Sequence, residues 1–466
     1  MNKEARYLLI RSGRIIDPSQ DIDRVGDILV AEGRIIGAGA TIIPSDSLSA
    51  VLSKAMVLDA SGLCVCPGFV DIHCHLREPG FEAKETVATG TRAAAIGGYT
   101  TVCCMPNTEP PLDTSAAIAR LQETASRDSS IAVLPIGCIT KGRQGRELTA
   151  MAELARAGVV AFSDDGSPVT SSQLLRKALE HGRELGLPVI DHCEDIELSD
   201  NGVMNEGQVS ARLGLKGIPD AAEEVMVARD LILARLTGAR LHIAHVSTKG
   251  SVELVRRAKQ EGIAVTAEVT PHHLTLTEES IMSRSQDKAF DTNAKVNPPL
   301  RTSEDVEALI MGVREGVIDA IATDHAPHTV TDKNCELNLA ALGISGFETA
   351  FGSLMGLVHR GQIGLTQLLS KLTLEPAKII GKDGELGTMK AGVKANITIF
   401  DPDRDWTVDS RSFASKGKNT PYDGHKLKGR IIASISEGTI VFMDDLLRDH
   451  LRPGPGDSDH SRRLHG

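Results

Sequence analysis

Short apolar runs alternate with helix-like segments through the middle of the chain. Eight of these runs are rich in β-branched residues, which is typical of buried strands in a parallel sheet. A segment with helical periodicity follows each run, and several of these segments end in glycine, which favours a helix C-terminus. The predicted strands cover residues 68–73, 100–105, 131–138, 159–163, 188–192, 241–245, 263–270 and 317–324. Eight strand–helix units in succession predict an α/β fold, a (β/α)8 TIM barrel.

The two ends of the chain have a different pattern. Residues 1–66 and 387–446 are predicted to form short strands separated by turns. We expect these two stretches to pair as one discontinuous β domain, a small β-sandwich, beside a barrel formed by residues 67–386. Residues 447–466 are rich in proline, glycine and charged residues, and we expect them to be a disordered tail.

Composition excludes several classes of protein. The 466 residues are 41% apolar and 24% charged, as in ordinary globular proteins. A net charge of −11 and an aromatic content of 3% argue against binding to nucleic acid. No apolar stretch is long enough to cross a membrane, and the charged N-terminus does not resemble a signal peptide. The eight scattered cysteines favour a reducing, cytoplasmic location.

Metal-binding side chains occur where the predicted strands end. These residues are His73, His75, Asp164, Asp165, His192, His245 and Asp324. The carboxyl ends of barrel strands form the catalytic face of this fold, so we expect the side chains to converge there. Imidazole and carboxylate ligands without thiolate favour zinc, and their number is sufficient for two ions. Adjacent residues point in opposite directions, so the pattern leaves open whether Asp164 or Asp165 faces the metal.

Nine sequence motifs carry a resemblance to a known family. They are GFVDIHCHLREPG, ETVATGT, GGYTTVCCMPNTEPP, FSDDGSPV, DHCED, HVST, AEVTPHHL, NPPLR and ATDHAPH. Together they closely resemble the dihydroorotases of the amidohydrolase superfamily, of the bacterial class I type, over about residues 5 to 445. The combination of LREPG and MPNT is specific to this family, whereas His-x-His alone indicates only the superfamily.

The resemblance implies a ligand set for two zinc ions per subunit. One zinc is held by His73, His75 and Asp324, and the other by His192 and His245. The resemblance favours Asp165 as the bridge between the ions, together with a hydroxide, where many relatives have a carboxylated lysine.

The resemblance also implies the reaction and its substrate contacts. Dihydroorotases interconvert N-carbamoyl-L-aspartate and dihydroorotate plus water in pyrimidine synthesis, with Asp324 as the general acid and base in this chain. Arg77, Asn107 and His328 are expected to bind the substrate carboxylate, and Asn297 the polar edge of the ring. Residues 329–342 depart from the family pattern and receive no role from the resemblance.

Two alternatives compete with this interpretation. A hydantoinase or allantoinase would share the metal site but lack the carboxylate contacts of Arg77 and Asn107. A catalytically silent subunit that scaffolds aspartate transcarbamoylase would be expected to have lost metal ligands, and every expected ligand is present here. An active enzyme could still associate with that partner, and we expect a homodimer.

Overall fold

The computed structural model describes residues 7–40, 51–283, 289–448 and 450–452. Strands from both ends of the chain pair in one nine-stranded sheet. Its strands are β1 (Tyr7–Asp17), β2 (Ile22–Ala31), β3 (Arg34–Ala40), β4 (Met56–Asp59), β5 (Cys64–Pro67), β16 (Ile397–Thr407), β17 (Lys426–Ser436), β18 (Thr439–Met443) and β19 (Leu451–Arg452). The two ends meet where β5 pairs antiparallel with β16, Cys66 opposite Thr398. Strands from the first and last parts of the described chain therefore belong to one sheet.

The last described residues correct one expectation. Residues Asp445–Arg448 form a short helix, and Leu451 of β19 pairs with Leu58 of β4. The disorder expected from residue 447 onward therefore does not apply to residues 447, 448 and 450–452. The remainder of that expectation falls on residue 449 and residues 453–466, which lie outside the described residues.

Eight further strands form two parallel sheets in chain order. The first sheet contains β6 (Phe69–Cys74), β7 (Tyr99–Cys104) and β8 (Ala132–Pro135), and the second contains β9 (Phe162–Ser163), β10 (Val189–Asp191), β13 (Leu241–Ile243), β14 (Val265–Val269) and β15 (Ala320–Ile321). Isolated parallel bridges join the sheets at both ends, between Gly137 and Phe162 and between Cys74 and His325. Between β10 and β13, a small sheet pairs β11 (Met204–Asn205) with β12 (Gly217–Ile218).

Several strands are shorter than the sequence pattern predicts. Residues 317–324 contain only the two-residue strand β15, because side chains replace some of the backbone pairing there. Asp71 accepts hydrogen bonds from the Thr323 backbone N–H and hydroxyl, at 2.9 and 2.5 Å, and Asp319 accepts from the backbone N–H of Ala267 at 2.8 Å. The apolar pattern thus locates the strand correctly but overestimates its length.

Helices follow the parallel strands. Their bounds are α1 (Val87–Ile96), α2 (Ser115–Asp128), α3 (Met151–Arg156), α4 (Ser172–Leu185), α5 (Ile196–Ser199), α6 (Gln208–Leu213), α7 (Ala221–Thr237), α8 (Lys249–Gln260), α9 (Pro271–Thr275), α10 (Ser303–Glu315), α11 (Val330–Lys333), α12 (Phe347–His359), α13 (Leu365–Leu372), α14 (Leu374–Ile379) and α15 (Asp445–Arg448). Single 3₁₀ turns occur at Lys141–Arg143, Glu278–Ile281, Thr292–Ala294 and Ser410–Ser412. Thr114, Ser171 and Thr248 cap their helices by accepting a backbone N–H, as the sequence pattern favours.

Apolar side chains of the parallel strands are buried on both sides. One cluster contains Val70, Ile72, Cys103 and Ile136, and a larger one packs Phe69, Val102 and other strand residues against the helices. Fully buried parallel strands have this continuous apolar character. No described helix has both the length and the apolar character needed to cross a membrane. The polar residues that follow the strands are thus fixed to a rigid, well-packed scaffold.

Candidate active site

Four histidines and two aspartates converge where the parallel strands end. His73 Nε2 and His75 Nε2 lie 3.4 and 3.5 Å from the two carboxylate oxygens of Asp165. His192 Nδ1 and His245 Nε2 each lie 3.6 Å from Asp165 Oδ1. Asp324 Oδ1 lies 2.9 Å from His75 Nε2 and 3.6 Å from His73 Nε2. All six side chains are buried. The structure therefore brings together the six side chains that the family resemblance implies as metal ligands.

The structure distinguishes Asp164 from Asp165. Asp165 belongs to two groups of potential ligand atoms, one with His73 and His75 and one with His192 and His245. Asp164 points away, and its carboxylate accepts the backbone N–H groups of Ile139 and Thr140 at 2.8 and 3.1 Å. Asp165 therefore lies between the two histidine pairs, whereas Asp164 fixes the neighbouring loop.

Three of the histidines are oriented by a second polar contact. His73 Nδ1 contacts Glu268 at 2.6 Å, His75 Nδ1 contacts Asn107 Oδ1 at 2.9 Å, and His192 Nε2 contacts Glu194 at 3.0 Å. In each case the other ring nitrogen faces the cluster. Carboxylate and amide partners of this kind fix the tautomer of metal-binding histidines. The arrangement therefore presents three imidazole lone pairs to the centre.

Sequence reasoning missed Glu268 and Glu194. Glu268 is buried and also contacts His242 Nε2 at 3.2 Å, so His242 lies behind the ligand cluster. The available signals were a glutamate inside the apolar run of β14 and another two residues after His192. A buried acid in a central strand requires a partner, and here the partners are histidines.

The electrostatics of the cluster suit a cation. Burial alone would raise the pKa of Asp165, but the charge of His73 and the proximity of His192 and His245 lower it well below its usual value. Burial would lower the pKa of His192, yet its contacts with Asp165 and Glu194 raise it to about 10. The buried carboxylates thus remain anionic and need compensating positive charge.

Two buried atoms at the centre lack a hydrogen-bond partner among the described residues. They are His73 Nε2 and Asp165 Oδ1. Buried polar atoms are nearly always hydrogen-bonded, so an unpaired nitrogen and an unpaired oxygen facing each other require a further group. The donor set is imidazole and carboxylate, which suits zinc and similar divalent metals. The residues therefore fit a metal centre.

Strained backbone also concentrates in this region. Of the ten described non-glycine residues with positive φ, four border the site: Arg77 (φ 63°), Arg143 (55°), His245 (31°) and Asp324 (44°). A positive φ is unfavourable for L-amino acids other than glycine. It persists where the surrounding structure enforces it, often at functional sites. The strain supports a functional rather than a purely structural cluster.

A positively charged region borders the metal-binding groups. The Arg77 guanidinium lies 3.4 Å from His328 Nε2, and the Lys84 amine lies 3.4 Å from His328 Nδ1. Burial and the charges of Arg77, Lys333 and Lys84 lower the pKa of His328 to about 3, so its imidazole is neutral. Although the chain is acidic overall, this part of the site attracts anions.

Two asparagines leave one polar group each for a ligand. The Oδ1 atom of Asn107 accepts from His75, and no described residue accepts from its amide N–H groups. The Nδ2 atom of Asn297 donates to Glu194 Oε2 at 2.8 Å, and no described residue donates to its Oδ1. Asn107 therefore offers donors and Asn297 an acceptor.

The remaining polar candidates have structural partners. His273 contacts Thr270 Oγ1 at 2.8 Å and the Pro298 carbonyl at 3.0 Å. Cys74, between His73 and His75 in the chain, faces the apolar core. A second buried acidic group, Asp191 and Asp230 with Cys193, is compensated by Arg229, which lies 3.4 and 2.6 Å from the two carboxylates.

The chain is similar in sequence and in fold to proteins of known activity. A family model described as Dihydro-orotase-like matches residues 62–251. The dihydroorotase of Caldanaerobacter subterraneus subsp. tengcongensis is 51% identical over 437 residues, which cover 94% of this chain and 97% of that one. The dihydroorotase of Citrifermentans bemidjiense is 48% identical over 436 residues, covering 94% and 99%.

Solved structures share the architecture at lower identity. The L-hydantoinase (dihydropyrimidinase) of Arthrobacter aurescens matches with a TM-score of 0.80 at 25% identity, covering 94% of this chain and 96% of that one. The dihydropyrimidinase of Brevibacillus agri matches with a TM-score of 0.81 at 23% identity, covering 97% of each chain, and shows the fold alone. The α/β fold predicted from the sequence is thus confirmed.

Proposed function

Because the chain belongs to the dihydroorotase family, we propose that the cluster around Asp165 is the catalytic centre of this cyclic amide hydrolase. Its reaction is the reversible closure of N-carbamoyl-L-aspartate to dihydroorotate with loss of water, a step of pyrimidine synthesis. The observation that carries the proposal is the position of Asp165 between two histidine pairs, beside the cationic region around Arg77.

The cofactor in this proposal is zinc, two ions per subunit. His73, His75 and Asp324 would hold one ion, His192 and His245 the other, and Asp165 would bridge them. When bound, the ions would make a hydroxide nucleophile available at neutral pH and polarise the amide carbonyl. The two unpaired atoms at the centre, His73 Nε2 and Asp165 Oδ1, support the assignment.

Asp324 is proposed to move the proton. In ring opening its carboxylate accepts the proton of the nucleophile and delivers it to the ring nitrogen that leaves; in ring closure the steps reverse. Contacts with His75 and His73 lower the pKa of Asp324 against the effect of burial, so the group starts as a base. Only its Oδ1 contacts these histidines, which leaves Oδ2 for the proton.

The substrate is positioned by four residues. Arg77 and the amide N–H groups of Asn107 supply donors for the carboxylate, next to the imidazole of His328. The free Oδ1 of Asn297 would accept a ring N–H. A neutral cyclic amide would use Asn297 but gain little from Arg77, which is the basis for discrimination.

We also propose how the strands are arranged into domains. The bridges at Gly137 and Cys74 support closure of the eight parallel strands into a (β/α)8 barrel over residues 67–386. Residues 1–66 and 387–446 would form the discontinuous β-sandwich. A homodimer, a cytoplasmic location and association with aspartate transcarbamoylase stay predictions; the absence of any disulfide among the eight cysteines supports the cytoplasm.

The test is ring closure of N-carbamoyl-L-aspartate by the purified, zinc-loaded protein beside a chelated sample. Metal-dependent formation of dihydroorotate is expected, with weaker hydrolysis of hydantoin. No turnover in the presence of bound zinc would contradict the proposal, and a preference for hydantoin would indicate a hydantoinase-like enzyme.

Arg77→Ala is expected to weaken use of the carboxylate substrate. Charged hydrogen bonds contribute about 1.5–3 kcal/mol each, so kcat/KM for dihydroorotate should fall roughly 10–150-fold. Steady-state kinetics on dihydroorotate and on neutral dihydrouracil measure the difference. Arg176→Ala, which removes an exposed ion pair with Glu180, is the matched control. An equal loss on both substrates would show that Arg77 is structural.

Glu268→Gln is expected to weaken zinc binding while preserving the fold. The amide has nearly the same shape as the carboxylate but cannot accept from His73 and His242 with the same strength. Loss of such a partner typically lowers metal affinity about 10–100-fold. Competition with a chromogenic chelator measures this affinity. Glu278→Gln, which alters a buried carboxylate bonded to Asn205, should leave it unchanged.

A further inference from the structure

Two buried lysines connect neighbouring loops beside the proposed carboxylate site. Lys295 and Lys333 are only 5% and 4% exposed. Burial of an ammonium group is costly unless all of its N–H donors find acceptors. Both amines meet this condition with backbone carbonyl oxygens, so their positions depend on the path of the surrounding chain.

Each amine reaches three carbonyl oxygens. Lys295 Nζ donates to the carbonyls of Leu337, Asn338 and Ala340, at 2.8, 3.2 and 2.8 Å. Lys333 Nζ donates in the other direction, to those of Thr292, Lys295 and Ala341, at 3.1, 3.0 and 2.6 Å. Five of these bonds cross-link residues 292–295 to residues 333–340, and the sixth, from Lys333 to Ala341, lies within residues 333–341.

The ends of the cross-linked segment are fixed by a different side chain. Asn419 Nδ2 donates to the carbonyls of Ala326 and Gly343 at 3.1 and 2.9 Å, and its Oδ1 accepts the backbone N–H of His328 at 2.9 Å. The backbone immediately before and immediately after residues 329–342 is therefore held in place by Asn419. Among the described residues, the two lysine amines hold the middle of the segment, together with the Thr292 hydroxyl, which donates to the Lys333 carbonyl.

The segment ends in a direct contact with the site. His328 Nε2 lies 2.8 Å from the Leu342 carbonyl, which can only accept, so Nε2 carries the proton. The lone pair of Nδ1 then faces the Lys84 amine at 3.4 Å. The Leu342 carbonyl thus sets both the tautomer and the orientation of the imidazole beside Arg77.

We propose that Lys295 and Lys333 are positioning residues of the reaction, which hold residues 329–342 in the conformation that presents the Leu342 carbonyl to His328. The inference rests on the proposed function in one respect, the place of His328 at the substrate carboxylate. The reacting atoms do not touch either lysine. Loss of a lysine should therefore affect substrate binding more than the chemical step.

The test compares Lys333→Met and Lys295→Met with Lys371→Met in the zinc-loaded protein. Lys371 is also buried and donates to a backbone carbonyl, that of Ile318 at 2.7 Å, so it controls for the loss of a buried amine. Endoproteinase Glu-C can cleave after the exposed Glu336, in the middle of the segment. Mass spectrometry of the fragment that begins at Leu337 reports how firmly the segment is held.

The expected result has two parts. In Lys333→Met, cleavage after Glu336 should become at least about tenfold faster, and KM for dihydroorotate should rise roughly tenfold with kcat changed less than about threefold. Zinc content should stay at the wild-type level, and Lys371→Met should show neither change. If Lys333→Met does not fold, the same two measurements on Lys295→Met decide the matter.

Three outcomes would overturn the inference. Unchanged cleavage after Glu336 would show that the lysines do not hold the segment. Faster cleavage with an unchanged KM would show that the segment does not position His328 for substrate binding. Equal changes in cleavage rate and KM in Lys371→Met would indicate a general loss of stability. Failure of the wild-type protein to use dihydroorotate would instead refute the proposed function, and with it the role of the lysines in catalysis.

Discussion

Asp324→Asn is expected to abolish turnover while leaving the metal in place. The amide has the shape of the carboxylate and keeps an oxygen for the contact with His75, but it cannot take up and release a proton. General acid–base groups contribute about 10²–10⁴ in rate, so kcat should fall by roughly three orders of magnitude. Steady-state kinetics in both directions, with zinc content measured on the same samples, give the result.

The metal measurement decides how this loss is interpreted. Near-normal turnover with a full complement of zinc would remove Asp324 from the proton transfer. Loss of zinc in parallel with activity would mean that Asp324 acts mainly as a ligand. Asp319→Asn is a suitable control, since Asp319 belongs to the same strand region but bonds Lys259 and the Ala267 backbone instead of the cluster.

Asp165→Asn is expected to have the second large effect, the loss of bound metal. Asp165 is shared by both histidine pairs, whereas Asp324 contacts only His73 and His75, so the substitution alters the one carboxylate that the two pairs have in common among the described residues. Zinc affinity should drop by more than the roughly 100-fold seen when outer contacts of ligands are removed, and activity should fall with it. Zinc per subunit after dialysis and ring-closure activity measure the two effects.

The adjacent aspartate provides the matched comparison. Asp164→Asn keeps one oxygen for the Ile139 and Thr140 N–H groups but removes the charge and the second oxygen, which accepts the Thr140 hydroxyl. It should lower the free energy of unfolding by about 1–3 kcal/mol. Its zinc content should remain normal, so thermal unfolding and metal analysis should separate the two variants. Equal loss of zinc in both variants would contradict the assignment of Asp165 as the bridge.

The fold could be predicted mainly from the pattern of apolar and polar residues along the chain. The eight apolar runs correspond in order to β6, β7, β8, β9, β10, β13, β14 and β15, because each strand is buried and strand burial is a local property of composition. Strand lengths were less predictable. Asp71 and Asp319 replace backbone pairing near β15, and such partners are distant in sequence.

The candidate ligands were predictable for a related reason. His73 lies near the end of a buried strand, and His192, His245 and Asp324 follow buried strands. The ends of parallel strands lie at one face of the fold. The choice of Asp165 over Asp164 was different, since adjacent residues have the same local signal. It required the position of Thr140, whose backbone and hydroxyl bind the Asp164 carboxylate.

The polar groups that orient the histidines and connect the loops were the features least predictable from the sequence. Glu268 and Glu194 orient His73 and His192, although their motifs, AEVTPHHL and DHCED, do not by themselves reveal this role. Lys295 and Lys333 connect two loops and lie outside the family motifs. Their partners are backbone carbonyls or side chains brought close only by folding.

The sequence by itself determined the order of strands and helices, the residues that end each strand and, through its motifs, the family. These features depend on periodicity and on residue type at fixed positions, which are local. The tertiary structure decided which carboxylate faces the histidines, which nitrogen of each histidine is free, and which segment supports His328. Each of these depends on distances between residues far apart in the chain, because hydrogen bonds and ion pairs act only at short range.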